Sequence, residues 1–145
     1  MYSKIYGAGI TGLEARIIQV EADVSNGLPV FHMVGVLASA VKEARERVRI
    51  SLQNSGFRLP AKRITINLSP ADLRKDGSGY DLPIAVSLLA ASGMLPQNTD
   101  KSILMAGELG LNGHICSIQG ALAMALQAKK EGFRKFLLPK ENARE

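Results

Sequence analysis

Hydroxyl, amine and carboxylate side chains are concentrated between residues 67 and 85, in a stretch that also contains two closely spaced glycines. A serine hydroxyl becomes a useful nucleophile only when a base lies beside it. Ser78 is the candidate nucleophile of this stretch, and Lys75 is its nearest amine in the sequence. A separation of three residues within one loop is unfavourable for activation of the Ser78 hydroxyl by the Lys75 amine. A serine peptidase that uses Ser78 therefore remains an alternative hypothesis and not the preferred one.

The same stretch reads as a strand, a glycine-containing loop and a helix. Free backbone N–H groups at such a junction can hold an anion. A tight connection that needs glycine for its backbone angles explains the pattern equally well. We expect Asp81 to cap the helix, and Pro83 to lie in its first turn, where a missing N–H has no cost.

Positive charge is concentrated between residues 42 and 75, where nine basic and three acidic residues leave a net +6 within a chain whose total is +5. Such asymmetry favours a polyanionic partner, although a solvated face that binds nothing is the alternative. The chain has three Tyr, four Phe and no Trp, and this small number argues against recognising single strands by stacking. The candidate contacts to DNA phosphates are Lys42, Arg45, Arg49, Arg63, Arg74 and Lys75.

Other residues that could do chemistry are better explained by structure. Ser39 and Lys42 match the Ser-x-x-Lys of penicillin-binding enzymes, but no Lys-Thr-Gly accompanies them, so Ser39 is interpreted as a helix N-cap. His32, His114 and Cys116 lack partners at ligand spacing, and no metal site is predicted. A phosphate-binding Gly-x-x-x-x-Gly-Lys-Ser/Thr motif does not occur, so this sequence contains no nucleotide-hydrolysing module.

Hairpins and strands dominate the first half of the chain. Residues 18–25 alternate as a strand with one buried face, and the opposite phase upstream predicts a bulge or a strong twist near Ile17. Asn26-Gly27 predicts a type I′ turn to a returning strand at 28–34, and Asn112-Gly113 a second turn between 103–111 and 114–118. Further strands are expected at 64–68 and 135–138.

Three helices are expected to pack on these strands, at about 40–55, 82–92 and 119–131. The second is apolar on every side and should be buried between layers. The third is expected to turn five apolar residues inward: Ala121, Leu122, Ala125, Leu126 and Ala128. Residues 140–145 resemble the beginning of another helix. The fold class is α/β (α+β), a mixed sheet with packed helices in one domain over residues 1–145.

Composition excludes several classes of protein. The longest uncharged apolar stretch is too short and too broken to span a bilayer, and the first residues lack a signal-peptide core. A single cysteine provides neither a disulfide framework nor a zinc box. A cytoplasmic location without membrane contact is expected.

Three segments carry a resemblance to a known family: the opening Tyr6-Gly-Ala-Gly-Ile, the segment Ala40-Val-Lys-Glu-Ala-Arg-Glu-Arg-Val-Arg, and residues 67–85. They resemble the ComM/YifB family of magnesium-chelatase-subunit-like proteins, and the match covers nearly the whole chain. Relatives usually have Leu-Pro-Asp where this chain has Val36-Leu37-Ala38.

The amino-terminal domain of that family is similar in turn to the proteolytic domain of Lon, which uses a serine–lysine dyad. Laid on Lys75-Asp76-Gly77-Ser78-Gly79, the place of the nucleophile falls on Gly79. The place of the lysine, after Ser117-Ile118-Gln119-Gly120-Ala121, falls on Leu122. The resemblance thus implies a Lon-like scaffold without catalytic residues.

The resemblance also implies what would accompany this domain. In the family an AAA+ ATPase module follows, so ATP and Mg are expected for the full-length protein and no cofactor for these residues. ComM implies a hexameric branch-migration helicase of natural transformation, with DNA and the protein's own ATPase module as partners. A pure oligomerisation domain without DNA contact is the remaining alternative.

Overall fold

The computed structural model describes residues 1–96 and 100–144. Within these residues the structure has eight strands and four helices. The strands are β1 Tyr2–Thr11, β2 Glu14–Ser25, β3 Val30–Val34, β4 Arg63–Ser69, β5 Ile103–Met105, β6 Glu108–Leu109, β7 Ile115–Cys116 and β8 Lys135–Leu137. The helices are α1 Ser39–Lys42, α2 Ala44–Asn54, α3 Asp81–Ala91 and α4 Ala121–Lys130, and a 3₁₀ turn covers Lys140–Asn142.

Six strands form one mixed sheet in the order β3-β4-β2-β1-β5-β8. The β1–β2 and β2–β4 pairs are antiparallel, whereas β3–β4, β1–β5 and β5–β8 are parallel. The predicted α/β class with a mixed sheet is confirmed. The predicted hairpin at Asn26-Gly27 is wrong, because β4 lies between β2 and β3 and the returning segment pairs in parallel with β4.

Helices cover both faces of the sheet, and this explains the phase change that suggested a bulge. The β1–β2 register is continuous from Tyr2↔Asp23 to Thr11↔Glu14, so of the predicted bulge or strong twist near Ile17 the bulge is wrong. Residues on one face of β2, beginning at Ile18, pack in a core with α2 and α3. Ala15 and Ile17 lie on the other face and pack against α4. The side chains on each face of β2 therefore pack in their own hydrophobic core.

The first predicted helix is divided at Glu43 into α1 and α2. Ser39 is exposed and lies inside α1, whose N-cap is Ala38 without a side-chain hydrogen bond, so the predicted Ser39 cap is wrong. The other end agrees with the sequence. Gly56 has φ +90°, and the Phe57 N–H donates to the Leu52 carbonyl, as in a glycine-terminated helix.

Helix α3 is buried along nearly its whole length between the sheet, α2 and β6, as its uniform apolarity predicts. Helix α4 is rotated relative to the prediction. Met124 is buried with Ala121 and Ala128, whereas Leu122 and Leu126 are 54% and 62% exposed. Alanine carries little amphipathic signal, so the apolar stripe of this helix was misplaced.

The second predicted hairpin is confirmed in its pairing, with β6 and β7 antiparallel. Its turn is not the predicted type I′, because Gly113 has φ +90° but Asn112 does not have a positive φ. The expected helical start after Pro139 is the 3₁₀ turn, and Glu145 lies outside the described residues. Across the described parts of the chain, no helix has both the length and the apolarity needed to cross a bilayer.

Candidate functional site

A cleft of about 850 Å³ opens where β1 ends, between the 76–80 loop and the segment that leads into α4. Glycine backbones and small side chains form much of its wall. Its polar lining residues are Asp76, Ser78, Tyr80, Glu108, Ser117 and Gln119. Two of these are carboxylates, and the described lining contains no lysine, arginine or histidine. The cleft is therefore unsuited to an anion such as a DNA phosphate.

Gly79 lies in the wall of this cleft, whereas Leu122 is not among its described lining residues. A Cβ added at Gly79 would meet an Ile118 methyl at 3.7 Å and the Ala8 carbonyl oxygen at 3.9 Å, which are ordinary contacts. The backbone would thus accept a serine there. The α4 residues that line the cleft are Ala123 and Met124, neither of which can act as a base.

Ser78 also lines the cleft, but Lys75 is not beside it. Lys75 is completely buried, and its ammonium group donates to the Pro70 carbonyl. Burial lowers the pKa of Lys75, and the charge of Asp72 opposes that shift. The backbone of Lys75 is also fixed, since it bonds to Val36 at 2.8 Å and to Ala38 at 2.9 Å. The prediction that Lys75 contacts DNA is wrong, because a side chain without exposed surface cannot reach a phosphate.

The 76–80 loop is a tight connection, and three backbone N–H groups in it and in the first residues of α3 donate within the chain. Gly77 has φ +86°, and its N–H donates to the Asp76 carboxylate at 2.7 Å. The Asp81 and Leu82 N–H groups donate to the carbonyls of Ser78 and Gly107. The positive φ of Gly77 favours the structural explanation for that glycine. Gly79 needs neither a positive φ nor unusual space, and the two carboxylates of the cleft disfavour an anion there.

Asp81 is the most constrained polar residue near the cleft, and sequence reasoning assigned it the wrong partner. It is buried at the start of α3, whose N-cap is Tyr80 without a side-chain bond, so Asp81 does not cap its own helix. Its two oxygens accept from Arg47 Nε at 2.6 Å and Nη2 at 3.0 Å, and one also accepts from the Leu109 N–H at 3.0 Å. The hydrogen bonds to Asp81 raise the pKa of Arg47. This pair joins α2, α3 and β6 behind the cleft.

The opposite wall of the cleft is held from the 3₁₀ turn. The buried Asn142 side chain accepts from the Ile118 N–H and donates to the Ile118 carbonyl, both at 2.9 Å. Beside it, Glu141 accepts from the Ser117 N–H at 3.0 Å and lies 2.9 Å from His114 Nε2. The His114 hydrogen bond lowers the pKa of Glu141. His114 therefore has a structural partner on the surface.

A second concave surface lies at the open edge of the sheet, between β3, α2 and the 57–62 loop; we refer to it as the basic groove. Its volume is about 420 Å³. The floor is apolar and the rim carries charged and amide side chains. The groove is lined by Pro29, Val30, Phe31, Arg49, Gln53, Phe57, Arg58, Leu59, Pro60, Lys62 and Ile64.

The structure brings only some of the predicted DNA contacts to this groove. Arg49 lines it, and Arg45, one turn earlier in α2, donates to the Phe31 carbonyl at 3.4 Å. Arg63 is exposed, but side chains alternate along β4, so it lies on the face opposite the groove residue Ile64. Lys42 and Arg74 are exposed and line neither the groove nor the cleft.

Sequence reasoning missed Arg58 and Lys62 as groove residues, although it counted both in the charged third of the chain. Both are exposed, and neither makes an ion pair with a described residue. Gly56 before the 57–62 segment and Pro60 within it were usable signals of a loop, but not of the helix against which that loop packs. Within residues 1–96 and 100–144, no group of three His, Cys, Asp or Glu side chains could hold a metal ion.

Comparison with known proteins agrees with this architecture. The family model described as "Subunit ChlI of Mg-chelatase" matches residues 20–142. The chain belongs to the family of the ChlI subunit of Mg-chelatase. Among relatives of this ChlI-family chain, the protein YifB of Escherichia coli is 47% identical over 140 residues, which is 97% of the chain and 28% of that protein. The competence protein ComM of Haemophilus influenzae is 42% identical over 141 residues, again 97% of the chain and 28% of that protein.

The likeness extends to Lon. The peroxisomal Lon protease homolog 2 of Caenorhabditis elegans is 28% identical over 145 residues, 97% of the ChlI-family chain and 18% of that protein. The chain thus spans between a quarter and a third of the length of YifB and ComM. The resemblance inferred from the three sequence segments is confirmed at the level of the family.

Proposed function

We propose that this chain is a non-proteolytic, DNA-contacting domain of a larger ATP-driven protein. Its similarity to ComM, which is named as a competence protein, supports a role in handling DNA. ATP, Mg, hexamer formation and branch migration are assigned in this proposal to the full-length protein, in which an AAA+ module adjoins the domain. A cytoplasmic location belongs to the same proposal.

The observation that carries the proposal is the separation of the two concave surfaces. The cleft has glycine where a Lon-like nucleophile would stand, and its lining is acidic. The basic residues gather instead at the sheet edge, around β3 and α2. An anionic polymer is therefore favoured at the basic groove and disfavoured at the cleft. Contacts of this kind depend on salt and little on sequence.

Charge reversal tests the DNA contact. The double variant Arg45→Glu/Arg49→Glu of the 145-residue chain should weaken binding of a labelled duplex at least about tenfold at low salt, since it replaces two cations with two anions. Lys129→Glu/Lys130→Glu at the exposed end of α4 changes the net charge equally, so it is the matched control and should change binding less. A gel shift with the double variant that equals the wild-type one would reject this surface.

The peptidase alternative is tested separately with a serine-reactive phosphonate probe and mass spectrometry. We expect Ser78 to remain unlabelled, because its nearest lysine in sequence is buried against Pro70. Labelling at Ser78 would revive the peptidase. Association of the chain in sedimentation runs without DNA, combined with no DNA binding, would support the oligomerisation alternative.

A further inference from the structure

The floor of the basic groove is unusually aromatic for this chain. Two of its four phenylalanines, Phe31 and Phe57, line the same groove. Both are half-buried, with one side packed on the hydrophobic core and the remainder open to the groove. Pro29 and Pro60 add flat apolar surface beside them. The low aromatic content of the sequence argued against the stacking of bases on aromatic rings, but the fold brings two of the few aromatic rings together in this groove.

The rim of the groove supplies unpaired positive charge. Arg58 and Lys62 are exposed and make no ion pair with a described residue. Arg49 bonds to Glu46 at 2.7 Å in a pair of which both members are about half exposed, so that pair opposes an exchange of partner only weakly. Cations above an apolar floor are complementary to a single nucleic-acid strand whose bases point into the groove and whose phosphates face the rim.

We infer that the basic groove binds unpaired bases of a single strand, with Phe31 and Phe57 as the stacking surface and Arg58 and Lys62 as the phosphate contacts. The inference rests on the proposed contact with DNA and names the form of DNA that this site takes. A duplex can present its phosphates to the rim, but its bases are stacked inside and cannot reach the floor. The groove therefore discriminates single strand from duplex through its floor and not through its charge.

The experiment compares a fluorescein-labelled oligothymidine of about 20 nucleotides with a duplex of the same length, by fluorescence anisotropy at several salt concentrations. Phe57→Leu and Phe31→Leu keep an apolar side chain and remove the ring, and thermal unfolding verifies that each variant is folded. Arg58→Glu/Lys62→Glu tests the rim, and Lys129→Glu/Lys130→Glu, outside the groove lining, is the control of equal charge change.

We expect each Phe→Leu variant to weaken oligothymidine binding at least about fivefold while duplex binding changes less than about twofold. The rim variant should weaken the binding of both ligands and reduce the salt dependence of binding for both. Equal losses for the two ligands, or no loss, in the Phe→Leu variants would overturn the inference while the DNA proposal stands. Failure of the wild-type chain to bind either ligand would instead remove the DNA proposal itself. Concentration-dependent self-association abolished by the rim variant, without DNA binding, would identify a protein as the occupant.

Discussion

Arg47 of α2 and Asp81 of α3 form a two-point ion pair across 34 residues of sequence, with distances of 2.6 and 3.0 Å. The Asp81 side chain has no exposed surface, and the Arg47 side chain is 20% exposed. Arg47 Nη2 also donates to the Ala40 carbonyl at 2.8 Å, so the guanidinium joins α1, α2 and α3. The pair fixes the start of α3, which directly follows the loop that lines the cleft.

Removing the Asp81 charge should destabilise the fold. Asp81→Asn removes the buried counter-charge of the Arg47 guanidinium and leaves it only the exposed Glu43, and we expect the free energy of unfolding to fall by about 3 kcal/mol. Urea unfolding at neutral pH measures this. Glu43→Gln is the matched control, because Glu43 also faces Arg47 but at 3.7 Å and 70% exposed. Its effect should stay below about 1 kcal/mol. Equal effects of the two substitutions would show that burial does not govern the pair.

Two glycines of the cleft should tolerate an added methyl group to very different degrees. A Cβ at Gly9 would lie 1.8 Å from the Tyr80 hydroxyl oxygen, whereas one at Gly79 meets nothing closer than 3.7 Å. Tyr80 is itself buried, so it cannot move freely. We expect Gly9→Ala to lower the unfolding free energy by about 1–3 kcal/mol and Gly79→Ala to change it by about 0.5 kcal/mol or less. Thermal and urea unfolding of the two variants provide the comparison, and a larger loss for Gly79→Ala would contradict it.

The burial of Lys75 has a chemical and a pH consequence. Reductive methylation of the native chain should modify the exposed Lys62 and leave Lys75 unmodified until the chain unfolds. Burial lowers the pKa of Lys75 in the folded state, while the unfolded chain keeps the usual value of 10.5. Between those two values the unfolded state binds the extra proton, so this residue's contribution to stability rises with pH.

Urea unfolding of wild type and Lys75→Met at a series of pH values between 7 and 10 tests that sign. The stability difference should shift in favour of the wild type as the pH increases. A constant difference, or methylation of Lys75 at the rate of Lys62, would mean that the amine is open to solvent in the native state.

Much of the fold was predictable because its signals are local. The alternation of residues 63–69 and the uniform apolarity of α3 each fix an element without reference to the rest of the chain. The order of strands is not local. Asn26-Gly27 is a good turn signal, but it cannot reveal that β4 inserts between the segments it separates. The bulge was predicted for a similar reason. Strand β2 is covered on both faces, so apolar residues occur at odd as well as at even positions, and the change from one set to the other looked like an inserted residue.

The candidate site shows the same division. The register that placed glycine at the nucleophile position came from sequence, and the structure puts Gly79 in the wall of a cleft. Charge density in the sequence identified the basic third of the chain, but not which side chains face outward together. Lys75 turns inward to Pro70, and Arg47 to Asp81, while Arg58 and Lys62 join α2 at the groove. The orientation of each basic side chain depends on which carbonyls and carboxylates the fold brings near it, and a short sequence motif does not contain that information.

The sheet order determines how the chain can assemble. Strands β1 and β2 meet through the turn at Gly12, so their ten continuous pairs form at the lowest loop-closure cost. The other edge of β1 pairs with β5, where Leu104 is the partner of Tyr6 and lies almost 100 residues later in the sequence. Long-range parallel pairing of this kind is the slow step of mixed folds. A nascent chain that has emerged only as far as α3 therefore carries a finished antiparallel centre with one bare β1 edge, and that edge is where premature association between copies would begin.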